Sequence, residues 1–188
     1  MFFTIPTLMT WSRIVAIPLI IGVYYLDSLK VETQNLMATV MFVLFAWTDW
    51  LDGFLARKLN QTSAFGAFLD PVADKFLVCA CLLVLVQLDR VDSLVALVII
   101  GREIAISALR EWMAELGARR KVAVSSLGKV KTILQIVGLS MMLIRWDVWF
   151  LPTYQVGVTL TVIAAIFTLI SGWEHLRAAW PDLRSGSS

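Results

Sequence analysis

Reactive side chains are scarce in this chain. Its 188 residues include two cysteines, Cys79 and Cys81, and one histidine, His175. The cysteines sit two apart in an apolar run and point different ways on a helix. They give no basis for a disulfide framework or a thiolate metal site and read as small buried hydrophobes. A lone histidine cannot make a histidine metal cluster; lying after the last apolar segment, it reads as interfacial or solvated. Charged residues are only 16% of the chain, against about 25% in soluble domains. The net charge of +2 gives no basic excess, and no nucleic-acid partner is expected. The first ten residues carry no positive side chain and no small-residue cleavage site follows them, so no cleavable signal peptide is expected. Internal repeats, low-complexity segments and a second domain are also lacking. Residues 1–184 read as one domain, and Ser185–Ser188 as a flexible tail or tag remnant.

What the chain has in excess is apolar side chains. They make up 59% of it, with a mean hydropathy of +0.80, whereas soluble domains are about 45–50% apolar. The fold class expected is all-α: a polytopic membrane bundle of six transmembrane helices with a short N-terminal interfacial helix. The spans run over residues 10–26, 34–58, 64–88, 94–115, 126–144 and 148–173. Residues 1–13 alternate Phe2, Phe3, Ile5, Leu8, Met9 and Trp11 with Thr4, Thr7, Thr10 and Arg13. That pattern suits a helix lying at the interface, or equally the first turns of the first span.

Full-length uncharged spans are largely missing. The apolar cores Leu36–Thr48, Phe76–Leu88 and Thr132–Ile144 have 13 residues each, about 20 Å of helix against a hydrocarbon layer of about 30 Å. The spans must therefore continue into charged sequence. Span 2 ends in charge, span 3 begins in it, span 4 ends in it and span 5 begins in it. Alternating direction puts all four charged ends on one side. With both termini on that side, the opposite loops carry only Lys30, Arg90 and Arg145 of the 16 basic residues. The positive-inside rule makes the charged side cytoplasmic. The shape implied is a polar wedge open to the cytoplasm and closed by apolar packing beyond it.

The charge is densest between Asp49 and Asp74. Asp49 and Asp52 are three apart, and Asp70 and Asp74 four apart, so each pair shares a helical face. Acidic groups at membrane depth are rare and usually functional. Four ionised carboxylates at about 5 Å spacings would repel by about 3 kcal/mol per pair at an effective dielectric near 20, about 20 kcal/mol in all. Protons, cations or divalent metals must offset that, and carboxylate oxygens suit Mg²⁺ or Mn²⁺. Asp49, Asp52, Asp70 and Asp74 could hold two such ions, which would stabilise an in-line displacement at phosphorus. Gly53 and Gly66 beside them fit either close ligand approach or close helix packing.

The order Asp49-x2-Asp52-Gly53-x2-Ala56-Arg57-x8-Gly66-x3-Asp70-x3-Asp74 resembles the signature of the CDP-alcohol phosphatidyltransferases, with every fixed position present. The resemblance implies attack of an alcohol on the β-phosphorus of a CDP-linked lipid, with release of CMP. It implies Asp49, Asp52 and Asp70 as metal ligands, and Asp74 as both ligand and general base. It places Asp52, Gly53, Ala56, Arg57 and Gly66 at the CDP moiety, and implies a bacterial inner-membrane homodimer among membrane lipids.

The acceptor must be held elsewhere. Glu103, Ser107, Arg110 and Ala114 share a helical face. Arg110, Lys129 and Lys131 form a basic set on the charged side that could grip an anionic acceptor such as a phosphate. The segments Gly101–Gly117, Gly128–Thr132, Ile5–Thr7 and Phe65–Lys75 are similar to the branch of that family whose acceptor is sn-glycerol 3-phosphate. CDP-diacylglycerol and glycerol 3-phosphate are therefore the expected partners. A sister enzyme acting on inositol phosphate or serine is the nearest alternative. A cation transporter is a remote one, since the inverted repeats common in transporters are not visible.

Overall fold

The computed structural model describes the backbone of residues 5–59, 64–115, 126–146 and 151–185, and side-chain surroundings for residues 10–48, 69, 72–113, 130–146 and 151–180. These residues form six helices and no strand: α1 (Ile5–Val23), α2 (Val31–Leu59), α3 (Ala64–Gln87), α4 (Ser93–Glu115), α5 (Ser126–Ile144) and α6 (Thr153–Ser185). The all-α expectation holds. The separate N-terminal helix does not, because residues 5–23 form one unbroken helix. Pro6 lies in its first turn, where a missing N–H costs nothing. Beyond Pro6 the helix meets no glycine until Gly22 and carries Pro18 within it.

By length and composition, α6 contains the one helix among the described residues that is apolar enough to cross a membrane, Thr153–Trp180. Thr10–Val23 and Val130–Ile144 are shorter apolar segments. α2, α3 and α4 carry charge within their length, as their sequences require. Even so, the shortest helices, α1 and α5, have 19 residues each, about 29 Å at 1.5 Å per residue.

The helices close into a ring. α1 packs on α2 and α3, α5 on α2 and α6, and α4 on α6 and α3, while α3 also touches α2 and α5 across the middle. The core is built from Ile20, Phe42, Leu77, Leu82, Leu85, Ile99, Leu139 and Leu143. Cys81 is fully buried within it and both thiols are free. Outward, every helix presents exposed apolar side chains, among them Leu19, Leu44, Leu83, Leu97, Ile133 and Leu169. Inward lie polar ones: Thr10, Arg13, Lys131, Gln135, Thr168 and His175 are all buried.

α5 and α6 meet at a pair of glycines. A Cβ on Gly138 would come within 2.5 Å of Thr161 Oγ1 and 2.9 Å of the Gly157 carbonyl oxygen. One on Gly157 would come within 2.8 Å of the Gly138 carbonyl oxygen. Only glycine at both positions lets the two backbones touch, as small residues do between helices in membranes.

One end of the ring is tied by Arg90. The sequence pattern puts it in an exposed loop, but it is buried. Its Nη1 donates to the carbonyls of Met142 (3.2 Å) and Leu143 (2.8 Å), and its Nη2 to Asn35 Oδ1 (3.0 Å). A cation at a helix C-terminus satisfies carbonyls that have no partner within the helix. Tyr24 OH donates to the same Asn35 oxygen (3.3 Å), and Tyr154 OH donates to the Arg90 carbonyl (3.0 Å). Burial pushes the Arg90 pKa below its ordinary value, with Tyr24 opposing that shift.

Candidate active site

The far end of the ring holds the acidic helices. Asp49 and Asp52 lie on α2; Asp70 and Asp74 lie on α3. Asp52 is seven residues before the end of α2 and Asp70 six after the start of α3, so the pairs sit about 11 and 9 Å from their helix ends. Two packed helices joined by residues 60–63 thus bring the pairs to a matched depth. Of these residues and their neighbours, the side chains of Asp49, Asp52, Gly53, Ala56, Arg57, Gly66 and Asp70 lie outside the described residues, as does that of Lys129. Asp74, Arg110 and Lys131 lie inside them.

Those three line one cavity of about 260 Å³ inside the ring, together with Arg102, Glu103 and Ser107 of α4 and Ser171 of α6. Phe42, Leu77 and Ile136 form its apolar part. Residues from α2 through α6 therefore converge on one space, and the helix of the acidic pair faces the helices of the basic set. Among the described residues, Lys75, Arg102, Arg110 and Lys131 border it with two carboxylates, Asp74 and Glu103. Cations grouped beside apolar walls attract anions.

Each charged group is held in a particular way. Asp74 Oδ1 pairs with Nη1 of Arg13 from α1. The Arg13 side chain is fully buried, while Asp74 keeps 42% of its side-chain surface open. Arg13 lies 61 residues from Asp74 in the chain. Its only local sign is the spacing of Thr10 and Arg13, three apart on one face and both fully buried. On the basic side, Lys131 Nζ pairs with Glu103 Oε1. Arg102 Nη1 reaches the same oxygen at 3.2 Å, and its Nη2 donates to Ser171 Oγ at 3.3 Å. Ser107 spends its hydroxyl on the Glu103 carbonyl (2.8 Å). Glu103, Ser107 and Arg110 thus face the cavity as their shared helical face predicts; Ala114 lies outside the described side chains.

His175 corrects the sequence reading most clearly. α6 does not stop at Trp173 but runs on to Ser185, since Glu174–Trp180 contains no glycine or proline to break a helix. His175 is therefore a buried helix residue, 5% exposed, and not a solvated one. Its Nε2 lies 3.2 Å from Arg110 Nη2 and its Nδ1 2.5 Å from the Ser171 carbonyl oxygen. A sequence signal existed: Thr161, Thr168, Ser171 and His175 form a polar stripe at helical spacing along an apolar helix, and all four are buried.

Asp49, Asp52, Asp70 and Asp74 could offer carboxylate oxygens, the donors that suit hard divalent ions. Among the described residues no group of three or more possible metal ligands gathers, and of the four acids only Asp74 is among them.

Comparison with known proteins shows what this chain is similar to. The family model for CDP-alcohol phosphatidyltransferase matches residues 3–170. A protein of Shigella flexneri serotype 5b (strain 8401) is 48% identical over 183 residues, covering 96% of this chain and 97% of its own length. One of Escherichia coli (strain K12) is 47% identical over the same coverage. Both are named CDP-diacylglycerol--glycerol-3-phosphate 3-phosphatidyltransferase.

Proposed function

This chain belongs to the CDP-alcohol phosphatidyltransferase family, and on that footing we propose that it transfers the phosphatidyl group of CDP-diacylglycerol to sn-glycerol 3-phosphate, giving phosphatidylglycerophosphate and CMP. The observation that carries this reading is the meeting of Asp74 with Arg110 and Lys131 around one cavity. The acceptor carries a hydroxyl that must lose a proton and a phosphate that must be held. A carboxylate faces cations across a space large enough for such a molecule.

In this reading the acceptor's primary oxygen attacks the β-phosphorus, the bond from that phosphorus to the CMP oxygen breaks, and the proton passes to Asp74. Arg13 pairs with the Asp74 carboxylate, and Asp74 borders the cavity. Asp52, Gly53, Ala56, Arg57 and Gly66 line the CDP moiety. Arg110, with Lys129 and Lys131, holds the acceptor phosphate, Arg110 through its planar fork of donors. Asp49, Asp52, Asp70 and Asp74 would hold two Mg²⁺ or Mn²⁺ ions. When bound, these neutralise the pyrophosphate and stabilise charge in the displacement. A serine acceptor would give Arg110 and Lys131 no phosphate to hold.

We place the six helices across the bacterial cytoplasmic membrane, with both termini and the cavity on the cytoplasmic side. The exposed apolar side chains on every helix and the buried polar ones support that placement. The pattern is the reverse of a soluble surface, where large apolar patches are rare.

The test is direct. Detergent-purified protein is given CDP-dioleoylglycerol, labelled glycerol 3-phosphate and Mg²⁺, with EDTA and Asp70→Asn as controls. Label should enter lipid only with metal and intact Asp70. Label with serine or inositol phosphate but not with glycerol 3-phosphate would overturn the acceptor; label surviving EDTA would overturn the metals.

A further inference from the structure

The two cations that face the acceptor side are not held alike. Lys131 pairs with a carboxylate, Glu103. Arg110 is held by the chain's lone histidine. A guanidinium only donates and a backbone carbonyl only accepts. His175 must therefore carry its proton on Nδ1, donated to the Ser171 carbonyl, and turn the Nε2 lone pair to Arg110 Nη2. The ring is neutral and fixed at both nitrogens.

That difference has a chemical consequence. A carboxylate partner fixes a cation and also cancels its charge, so an incoming phosphate must displace it. A neutral imidazole fixes one N–H of the guanidinium and leaves the full positive charge in place. Arg110 borders the cavity, and its Nε is buried with no hydrogen-bond partner among the described residues.

We propose that His175 is a positioning residue that orients Arg110 toward the acceptor's phosphate without neutralising it, making α6 part of the acceptor site. This rests on the reading of Arg110 as an acceptor-binding residue.

Steady-state KM values for glycerol 3-phosphate and for CDP-dioleoylglycerol test it, in the full-length protein with Mg²⁺. His175→Phe removes the lone pair and keeps a ring. It should raise KM for glycerol 3-phosphate about tenfold, the size of one lost hydrogen bond to a charged group, with KM for the CDP-lipid within about twofold. His175→Gln, which can still offer an oxygen to Arg110, should stay within about threefold of the parent. His175→Glu should raise KM for glycerol 3-phosphate by cancelling the charge. In an Arg110→Ala background, His175→Phe should add nothing. Should His175→Phe not fold, the Gln and Glu variants carry the comparison. Unchanged KM in the Phe and Glu variants, equal rises for both substrates, or a full second penalty in the Arg110→Ala background would overturn the positioning role. An unchanged KM in Arg110→Ala itself would instead overturn the acceptor assignment, and this inference with it.

Discussion

Replacing Arg90 with methionine keeps the length of the side chain and deletes the guanidinium that ties the end of the bundle remote from the cavity. Three hydrogen bonds go: two to the last carbonyls of α5 and one to Asn35. Each orphaned buried acceptor costs about 1–3 kcal/mol, and the low end applies near a water-facing helix end. Relief of the guanidinium's own burial offsets part of the loss, since that burial already pushes its pKa down. A net destabilisation of about 3 kcal/mol follows, about 6–12 °C of midpoint for a chain of this size. Tyr24→Phe removes one long bond to the same asparagine, 3.3 Å, and should cost under about 1 kcal/mol. The assay is the fraction of detergent-solubilised protein still monodisperse after a heating series, with KM for both substrates measured on the unheated protein. A lowered midpoint with unchanged KM values is the expected result. An unchanged midpoint, or altered KM values at an unchanged midpoint, would refute the view of Arg90 as a structural tie.

The other expectations concern the cavity and the helix crossing. Asp74→Asn should lower turnover at least about 100-fold, as loss of a general base does, with the heating profile retained; near-parental turnover would sink the base assignment. Lys131→Met should raise KM for glycerol 3-phosphate by a smaller factor than Arg110→Ala, because Lys131 is already engaged by Glu103; the reverse order would count against that reasoning. Gly138→Ala should lower the heating midpoint, as a Cβ there meets Thr161 Oγ1 and the Gly157 carbonyl at a cost of about 1–3 kcal/mol. Gly101→Ala is its control: nothing lies within 4 Å of its Cβ, and replacing a helical glycine should be neutral or stabilise by up to about 1 kcal/mol.

Local features of the sequence were read well, and long-range pairings were not. α5 begins and ends where glycine, lysine and arginine punctuation put it, Ser126–Ile144, and α3 and α4 differ from expectation by one residue at one end each. Loops between apolar segments are marked by local chemistry, which a sequence displays. The end of α6 was missed because hydropathy marks where a span stops and says nothing of where a helix stops. Arg13, Arg90 and His175 were misread for a shared reason. Each is a polar residue whose burial depends on a partner more than 50 residues away, and a polar residue without its partner in view looks solvated. Asp74, Arg110 and Lys131, singled out by their spacing within single helices, border one cavity.

The inward placement of polar side chains also bears on how such a chain can change over generations. Leu83, Leu97, Ile133 and Leu169 are exposed, and with the helices placed in the membrane as proposed, leucine, isoleucine, valine and phenylalanine should interchange there with little effect. At Arg13, Arg90 and His175 the requirement is a particular donor or acceptor at a particular angle. There even arginine to lysine is a substantial change, since an ammonium cannot reproduce the planar fork. Substitution scores drawn from soluble proteins, which treat exposed positions as tolerant of polarity and buried ones as interchangeable hydrophobes, would rank both kinds of change the wrong way round here.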